Sequence, residues 1–223
     1  MNYSQIILLL LNYGLKFHNF QVILIITMKN KLIPFGLIIL FVIISGKIFS
    51  QEQKTQIKPA LLVIDIQNAY LSGMAQREKE IAMLNINYYI QLFRSHGFPI
   101  IRIYNYSKEF GPEQNTEQFE FPSSVLIKSD DPKIIKTYSD GFNKTDLSKV
   151  LNEKGCNTVF LCGLSAVGCV LATWIGAQNN DLKAFIIKDA IMSHNEDYTN
   201  NIEAMFDAIG PDVISLILDN SVK

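Results

Sequence analysis

From residue 59 onward, short apolar runs that suit buried β-strands alternate with stretches of helical periodicity. The first run, PALLVIDI (59–66), is rich in β-branched residues and too short for a helix. Residues 81–93 then place apolar side chains at helical spacing and end at a glycine stop. The alternation continues along the chain, so the sequence predicts an α/β three-layer sandwich: a parallel sheet with helices on both faces.

Six strands and four helices follow from this pattern. The predicted strands are residues 59–66, 100–105, 133–137, 157–163, 183–190 and 212–218, and the predicted helices are residues 81–93, 145–154, 168–180 and 197–209. Thr145 or Asp146 is the predicted N-cap of the second helix, and Gly155 is its stop. Residues 106–132 are polar and predict a long loop with a functional or mobile role.

The first fifty residues differ in charge from the rest of the chain. They contain four lysines and no acidic residue, so the remainder carries a net charge of about −5. From Met28 a basic start leads into an apolar run (32–45) and then a polar stretch, as in a secretory signal peptide. That run is shorter than the about 20 apolar residues of a membrane span. We therefore interpret residues 1–27 as a mis-assigned leader, residues 28–50 as a signal peptide cleaved near Ser50–Gln51 or an uncleaved membrane anchor, and residues 51–223 as an exported, periplasmic domain.

Composition narrows the classes of partner. Residues 51–223 show no basic patch, which argues against nucleic acid as a partner. After signal cleavage nothing predicts a membrane contact, and a small-molecule substrate is expected. Cys156 and Cys162 lie on one predicted strand, about 20 Å apart, too far for a disulfide. Cys169 is the candidate for a free reactive thiol.

Three ionisable side chains are predicted to meet at one edge of the sheet. Asp65 ends the first strand, Lys136 ends the third, and Cys169 follows the fourth by one turn. Ligands of such sheets bind beyond the carboxyl ends of the strands. Asp65 and Lys136 alone could be a structural ion pair, but an acid, a base and a thiol on one rim favour catalysis.

The chemistry of a thiol nucleophile suits this combination. A thiol attacks as the thiolate, and its ordinary pKa near 8.5 leaves little of that form at neutral pH. A helix N-terminus and the Lys136 ammonium are expected to favour the Cys169 thiolate. Asp65 can accept the thiol proton and deliver it to the leaving nitrogen, and the GLSAVGC turn can supply backbone donors to an oxyanion.

The segments LLVIDIQNAY (61–70), IIKTYSDGFNKTDLSKVLNEKG (134–155) and VFLCGLSAVGCVLATWIGAQ (159–178) resemble the isochorismatase-like cysteine hydrolases. The resemblance covers about residues 58–215. It implies a six-stranded parallel sheet of order 3-2-1-4-5-6 and a catalytic triad of Asp65, Lys136 and Cys169. It also implies a cis peptide bond at Leu164–Ser165, which directs the N–H groups of Ser165 and Cys169 into an oxyanion hole, and a homo-oligomer.

Departures from the family's subgroups narrow the activity that the resemblance implies. Nicotinamidases hold a metal through an Asp-x-His pair after strand two and further histidines, whereas RIYNYSKEF (102–110) contains neither residue type. His96 and His194 are more typical of surface or supporting positions, so no metal and no other cofactor is expected. Isochorismatases cleave a vinyl ether without needing the thiol, so Cys169 favours hydrolysis of a C–N bond in an amide or carbamoyl group. A vinyl-ether hydrolase, or an inactive member that binds a small molecule, remains the alternative.

The same residues could in principle carry two other chemistries, a serine hydrolase or a thiol-redox site. A serine hydrolase would use Ser165 with His194 and an aspartate, Asp189 or Asp197, but GLSAVG is G-x-S-x-x-G and not the G-x-S-x-G elbow. A thiol-redox site needs C-x-x-C, and the cysteine spacings are wider.

Aromatic residues near the strand ends can line a pocket or belong to the core. Tyr70 and Tyr106 are the substrate-binding candidates, and Phe142 and Trp174 are the weaker ones.

Overall fold

The computed structural model describes residues 56–109 and 111–221. The leader, signal-peptide and cleavage interpretations fall on residues 1–51, which lie outside the described residues, so export to the periplasm stays a prediction. No helix within the described ranges is long and apolar enough to cross a membrane.

Five parallel strands form the sheet, in the order β3-β2-β1-β4-β5. Their bounds are Pro59–Ile64 (β1), Ile100–Asn105 (β2), Lys133–Lys136 (β3), Thr158–Leu164 (β4) and Lys183–Met192 (β5). Every residue of β1 is buried, as expected for a central strand covered on both faces, whereas β3 alternates between exposed and buried residues at the sheet edge. The predicted α/β architecture is confirmed, and each of these strands lies where the sequence predicts one.

Helices cover both faces of the sheet. They are Asn68–Leu71 (α1), Gln76–Ser95 (α2), Leu147–Glu153 (α3), Leu171–Asn179 (α4), Glu196–Met205 (α5) and Pro211–Asp219 (α6). Helices α2 and α6 bury apolar side chains in the core on one face, and α3, α4 and α5 do so on the other. The sheet therefore forms the middle of three layers, and its carboxyl-terminal edge remains available to loops.

Residues 212–218 are helical, so the predicted sixth strand is wrong. Their buried positions, Ile214 and Leu218, are four residues apart, whereas Val213 before them and Leu216 between them are exposed. That spacing is helical, and Pro211 lies in the first turn, where a missing N–H costs no intrahelical hydrogen bond. A short apolar run of this kind is ambiguous between strand and helix. Because residues 212–218 are helical, the described sheet follows the expected order only through its first five strands.

The helix predicted for residues 168–180 begins later than expected. Residues 166–170 form a wider π-type turn in which Gly168 has non-helical backbone angles, and the regular helix α4 starts at Leu171. The predicted helix over residues 145–154 shortens to α3, with Asp146 as N-cap and the Thr145 hydroxyl accepting from the Leu147 N–H at 3.2 Å. The first of these changes matters for function because Cys169 lies inside the turn.

Gly163 lets β4 approach β1 at the carboxyl edge. Its φ is +117°, and a Cβ there would overlap the Ile64 carbonyl oxygen on β1. We expect Gly163→Ala to lower the free energy of unfolding by about 3 kcal/mol or more, because backbone must move and the φ becomes strained. Urea unfolding would measure the change.

A matched control is Gly210→Ala. Gly210 has an ordinary φ of −92°, and a Cβ there would meet nothing within 4 Å. Gly210 is the N-cap of α6, and alanine is a poorer helix N-cap than glycine. We therefore expect Gly210→Ala to lower the free energy of unfolding by less than about 1 kcal/mol. Equal stability losses in the two variants would contradict the close approach of β4 and β1.

Candidate active site

The side chains of Asp65 and Lys136 meet above the end of β2. Asp65 directly follows β1, and its N–H extends the sheet by donating to the Ile103 carbonyl at 2.9 Å. Lys136 ends β3, two strands away, roughly 10 Å at the usual strand spacing. The long lysine side chain spans this gap, and its Nζ lies 2.7 Å from Asp65 Oδ2. Both side chains are almost fully buried, so the pair is sequestered from water.

Cys169 completes the cluster from the turn between β4 and α4. Its thiol is close enough to the Asp65 carboxylate and the Lys136 ammonium for each of the three groups to shift the pKa of the others. Cys169 is partly exposed, whereas Cys156 and Cys162 are buried. Beyond these mutual contacts, neither oxygen of Asp65 nor Nζ of Lys136 has a hydrogen-bond partner in the part of the chain that the structure describes. The Asp65 carboxylate and the Lys136 ammonium therefore interact with one another and with the thiol.

Burial dominates the electrostatics of the cluster. It raises the pKa of Asp65, although the Lys136 ammonium and the Cys169 thiol oppose the shift. Burial also works against the charged form of Lys136, but its interactions with Asp65 and Cys169 outweigh burial and raise the pKa of Lys136. The ammonium therefore keeps its proton, and Asp65 is a stronger base than an exposed aspartate.

The thiol of Cys169 is not pre-ionised, contrary to the expectation from sequence. Burial and the negative charge of Asp65 raise its pKa to about 11, and the opposing effect of Lys136 is too small to reverse this. Cys169 also lies in the turn before α4 and not on the first turn of a regular helix, so the expected dipole effect does not compensate. At neutral pH the resting thiol is neutral, and its proton has to leave as the sulfur reacts.

The backbone around Ser165 adopts the geometry that the resemblance implies. The Leu164–Ser165 peptide bond is cis, as predicted. The Ser165 carbonyl accepts from the N–H groups of Gly168 and Val170, at 2.9 and 3.2 Å, and the Cys169 N–H lies between these two. The Ser165 N–H donates to no backbone or side-chain acceptor within residues 56–109 and 111–221. It remains available to a ligand oxygen.

The loop after Lys136 is fastened to the helix after Cys169. The Gly141 N–H donates to Thr173 Oγ1 of α4 at 2.9 Å. Gly176, one turn further along α4, packs so closely on Asp140 that a Cβ would overlap the carboxylate. These contacts connect the two segments that present the ammonium and the thiol, and so maintain the spacing between them.

A buried amide and a tyrosine hydroxyl extend the cluster through hydrogen bonds that the sequence did not predict. Gln67 is fully buried and bonds both to the carbonyl of Asn105 (3.1 Å) and to its N–H (2.8 Å). The side chain of Asn105 donates to the Tyr70 hydroxyl at 3.0 Å. The signal was present in DIQNAY: a polar residue two positions after Asp65 belongs to a buried strand end and needs a partner.

The remaining aromatic candidates for substrate binding lie in different parts of the fold. Tyr106 is partly buried, donates its N–H to the Lys136 carbonyl at 2.8 Å and packs edge-on against Phe119. Phe142 is buried in the core on the α4 face. Trp174 packs there too, and its Nε1 donates to the Ala184 carbonyl.

The serine-histidine arrangement, which the sequence already disfavours, is not assembled in the described residues. The hydrogen bond of the Ser165 hydroxyl within the described ranges is with Ser193, at 3.3 Å. His194 instead packs edge-on against Tyr198. His96 lies at the end of α2, where its Nε2 is 3.0 Å from Asp219. None of these contacts places His194 or His96 beside Ser165 or Cys169.

A family model, the isochorismatase domain, matches residues 59–216. The chain belongs to the isochorismatase family. Among curated proteins it is similar to the maleamate amidohydrolase of Pseudomonas putida, with 25% identity over 77 residues, which are 34% of this chain and 36% of that protein. The chain thus matches little more than a third of the length of that relative.

Solved structures share the fold. The N-carbamoylsarcosine amidase of Thermoplasma acidophilum aligns over 69% of this chain and 95% of its own, with 24% identity and a TM-score of 0.60. The pyrazinamidase of Pyrococcus horikoshii, in complex with zinc, aligns over 67% and 94%, with 25% identity and a TM-score of 0.59.

The residues present do not fit a metal site of the nicotinamidase type. No group of three or more His, Cys, Asp or Glu side chains within residues 56–109 and 111–221 is arranged to hold an ion. At the end of β2, where a carboxylate ligand would be needed, Asn105 uses its side-chain amide to bind Tyr70. An amide donor directed at a hydroxyl is not a metal ligand.

Replacing Lys136 tests the buried ion pair. Lys136→Ala leaves a buried carboxylate without its counter-charge, and we expect a loss of about 3 kcal/mol in the free energy of unfolding near neutral pH. The pKa of Asp65, already raised by burial, should rise further. Because a raised carboxyl pKa favours the protonated folded state, the loss should be small below the unfolded value of 3.8 and grow as the pH rises.

Urea unfolding at pH 4 and pH 8 measures this dependence. Lys133→Ala is the control, because Lys133 lies on the same strand in a surface pair with Glu120 and should cost less than about 1 kcal/mol. Lys136→Ala should also move alkylation of Cys169 to higher pH, since the ammonium opposes the raised thiol pKa. A loss that does not depend on pH would contradict the pairing.

Proposed function

We propose that this protein is a cysteine hydrolase that cleaves a C–N bond, of the amide or carbamoyl type, in a small molecule. The observation that carries the proposal is the buried cluster at the carboxyl edge, in which Lys136 Nζ lies 2.7 Å from Asp65 Oδ2 and the Cys169 thiol interacts electrostatically with both. Similarity to maleamate amidohydrolase, N-carbamoylsarcosine amidase and pyrazinamidase supports amide hydrolysis as the reaction class.

In the proposed reaction, Asp65 takes the thiol proton while the Cys169 sulfur attacks the substrate carbonyl carbon. The raised pKa of the thiol requires such a base, and the raised pKa of Asp65 suits it to the task. The N–H groups of Ser165 and Cys169 stabilise the oxyanion that forms. Lys136 keeps its positive charge throughout and stabilises the carboxylate and the developing negative charge.

Collapse of the tetrahedral intermediate breaks the C–N bond. Asp65 returns its proton to the leaving nitrogen, and the acyl group remains on Cys169 as a thioester. Water then attacks the thioester with Asp65 again as the base. The carboxylic or carbamic acid leaves, the thiol regains its proton, and the enzyme returns to its starting state.

Tyr70 and Tyr106 are proposed to bind the rest of the substrate beside the cluster, with the 106–132 loop as a further wall. A homo-oligomer is proposed because the family resemblance implies one. The chain alternatively acts on a vinyl ether: burial raises the pKa of Asp65, which favours a protonated acid of the kind that reaction needs.

A panel of amides and ureides assayed for ammonia release tests the proposal. The panel should contain maleamate, N-carbamoylsarcosine and pyrazinamide, with Cys169→Ala as the blank. We expect at least one member to be hydrolysed by the wild type only. Because the residues do not form a metal site, incubation with EDTA should leave the rate unchanged. Loss of activity that added zinc restores would contradict the metal-free mechanism.

A further inference from the structure

The Tyr70 hydroxyl is oriented by its neighbours in a way that defines what it can bind. A tyrosine hydroxyl has one proton to donate and can accept hydrogen bonds in return. Asn105 Nδ2 donates to it at 3.0 Å, so its accepting capacity is used on that side. No described side chain or backbone group accepts its proton. The hydroxyl is left as a donor toward whatever occupies the space beside it.

Asn105 is itself fixed by a buried neighbour. Gln67 holds both the N–H and the carbonyl of Asn105, at 2.8 and 3.1 Å. Gln67 is fully buried two residues after Asp65, so the position of the amide is tied to that of the carboxylate. These two bonds fix the backbone of Asn105, from which the side-chain amide reaches Tyr70. With Asn105 Nδ2 donating to the hydroxyl on that side, the Tyr70 proton is directed away from Asn105.

This hydroxyl lies at the edge where Asp65, Lys136 and Cys169 meet. Asn105 is the register partner of Lys136 in the sheet, so the two side chains leave the same edge side by side. Burial raises the pKa of Tyr70, and the charges of Asp65, Lys136 and Cys169 also act on it. The tyrosine thus stays protonated across the physiological range and close to the reacting groups.

We propose that Tyr70 selects substrates that carry an oxygen acceptor, a carboxylate or a second carbonyl, beside the scissile amide, and that Asn105 is the positioning residue that keeps the Tyr70 proton available to that acceptor. The inference rests on the proposed amide hydrolysis and names its substrate class: amides of dicarboxylic acids and ureido acids. A plain aliphatic amide leaves the Tyr70 donor without a partner, and sites built to hydrogen-bond a substrate group reject analogues that lack it.

Two variants test the arrangement. Tyr70→Phe removes the donor and keeps the ring. Asn105→Asp keeps the shape but replaces the amide donor by an acceptor, which captures the Tyr70 proton. Each is assayed on matched pairs in which only the acceptor differs: maleamate against isocrotonamide, and N-carbamoylglycine against N-propylurea. Tyr88→Phe, on the exposed side of α2, is the control and should change nothing.

For at least one acid we expect wild-type kcat/KM to exceed that of its partner by about tenfold or more. Each variant should lower kcat/KM for that acid by about 10- to 100-fold, chiefly through KM, and for its partner by less than about threefold. The double variant should be no worse than Tyr70→Phe, because both changes remove one interaction. Equal losses on both members of each pair, or no preference for the acids, would overturn the inference.

A second readout separates this inference from the proposed reaction. Protection of Cys169 from iodoacetamide by the same compounds needs no turnover. If the wild type hydrolyses none of them, the proposed reaction fails for this class, and protection alone decides the inference. The acids should then protect the wild type about tenfold better than they protect Tyr70→Phe. Protection that is absent, or the same in both proteins, rejects the role of Tyr70.

Discussion

Cys169→Ala is expected to lower kcat for any amide substrate by about 10⁴-fold or more, because no other side chain at the site can form the acyl-enzyme. The fold should survive the change, since Cys169 is partly exposed and its truncation removes little buried surface. Ammonia release gives the rate, and urea unfolding shows that the variant is folded. The comparison separates loss of chemistry from loss of structure.

Two controls define this result. Ser165→Ala should retain most activity, because only the backbone N–H of Ser165 is assigned a role and its hydroxyl bonds to Ser193. Cys156→Ala should also retain it, since Cys156 lies at the opposite, amino-terminal end of β4. An inactive Ser165→Ala beside an active Cys169→Ala would reverse the assignment. Isochorismate hydrolysis that survives Cys169→Ala but not Asp65→Asn would instead establish the vinyl-ether reaction.

Asp65→Asn should lower kcat by about 10³-fold, within the usual range for loss of a general base, and yet leave the thiol more reactive toward alkylation. The asparagine keeps the size of the side chain but cannot take the thiol proton. It also removes the negative charge that raises the pKa of Cys169 to about 11. With Lys136 still present, that pKa should fall, and more thiolate should exist at neutral pH.

The rate of iodoacetamide modification of Cys169 between pH 6 and pH 11 measures this shift. In the wild type the rate should rise toward pH 11, and in Asp65→Asn the midpoint should lie lower. Cys156 and Cys162 are internal references, because both are buried and burial raises the pKa of each thiol. If Asp65→Asn hydrolyses amides normally, or if its thiol titrates at higher pH than that of the wild type, Asp65 is not the base.

The meeting of Asp65 and Lys136 at one edge could be predicted from the sequence, whereas the electrostatics of the cluster could not. Asp65 and Lys136 stand out because charged residues rarely end buried apolar strands, and the order of elements brings both to one edge. The pKa of Cys169 could not be predicted in the same way. It depends on whether burial and the carboxylate outweigh the ammonium, and that balance depends on distances that only the folded arrangement gives.

The elements that the sequence predicted wrongly also depend on contacts that only the folded structure shows. Residues 212–218 are apolar at five of seven positions, so periodicity did not distinguish a strand from α6 until burial of Ile214 and Leu218 was known. The turn over residues 166–170 depends on the backbone of Gly168, whose angles the local sequence does not fix. The contact between Asn105 and Tyr70 joins residues 35 positions apart, and pattern analysis of a single chain cannot detect such a pair.

The covalent intermediate is the most direct evidence for the proposed mechanism. A hydrolysed amide should be mixed with the wild-type enzyme, quenched in acid within milliseconds to seconds, and analysed by mass spectrometry of the intact protein and its peptides. We predict a mass increase equal to the acyl or carbamoyl part of the substrate, located on Cys169 and absent from Cys169→Ala. Turnover with no adduct at any time, or an adduct on Ser165, would contradict a thioester formed at Cys169.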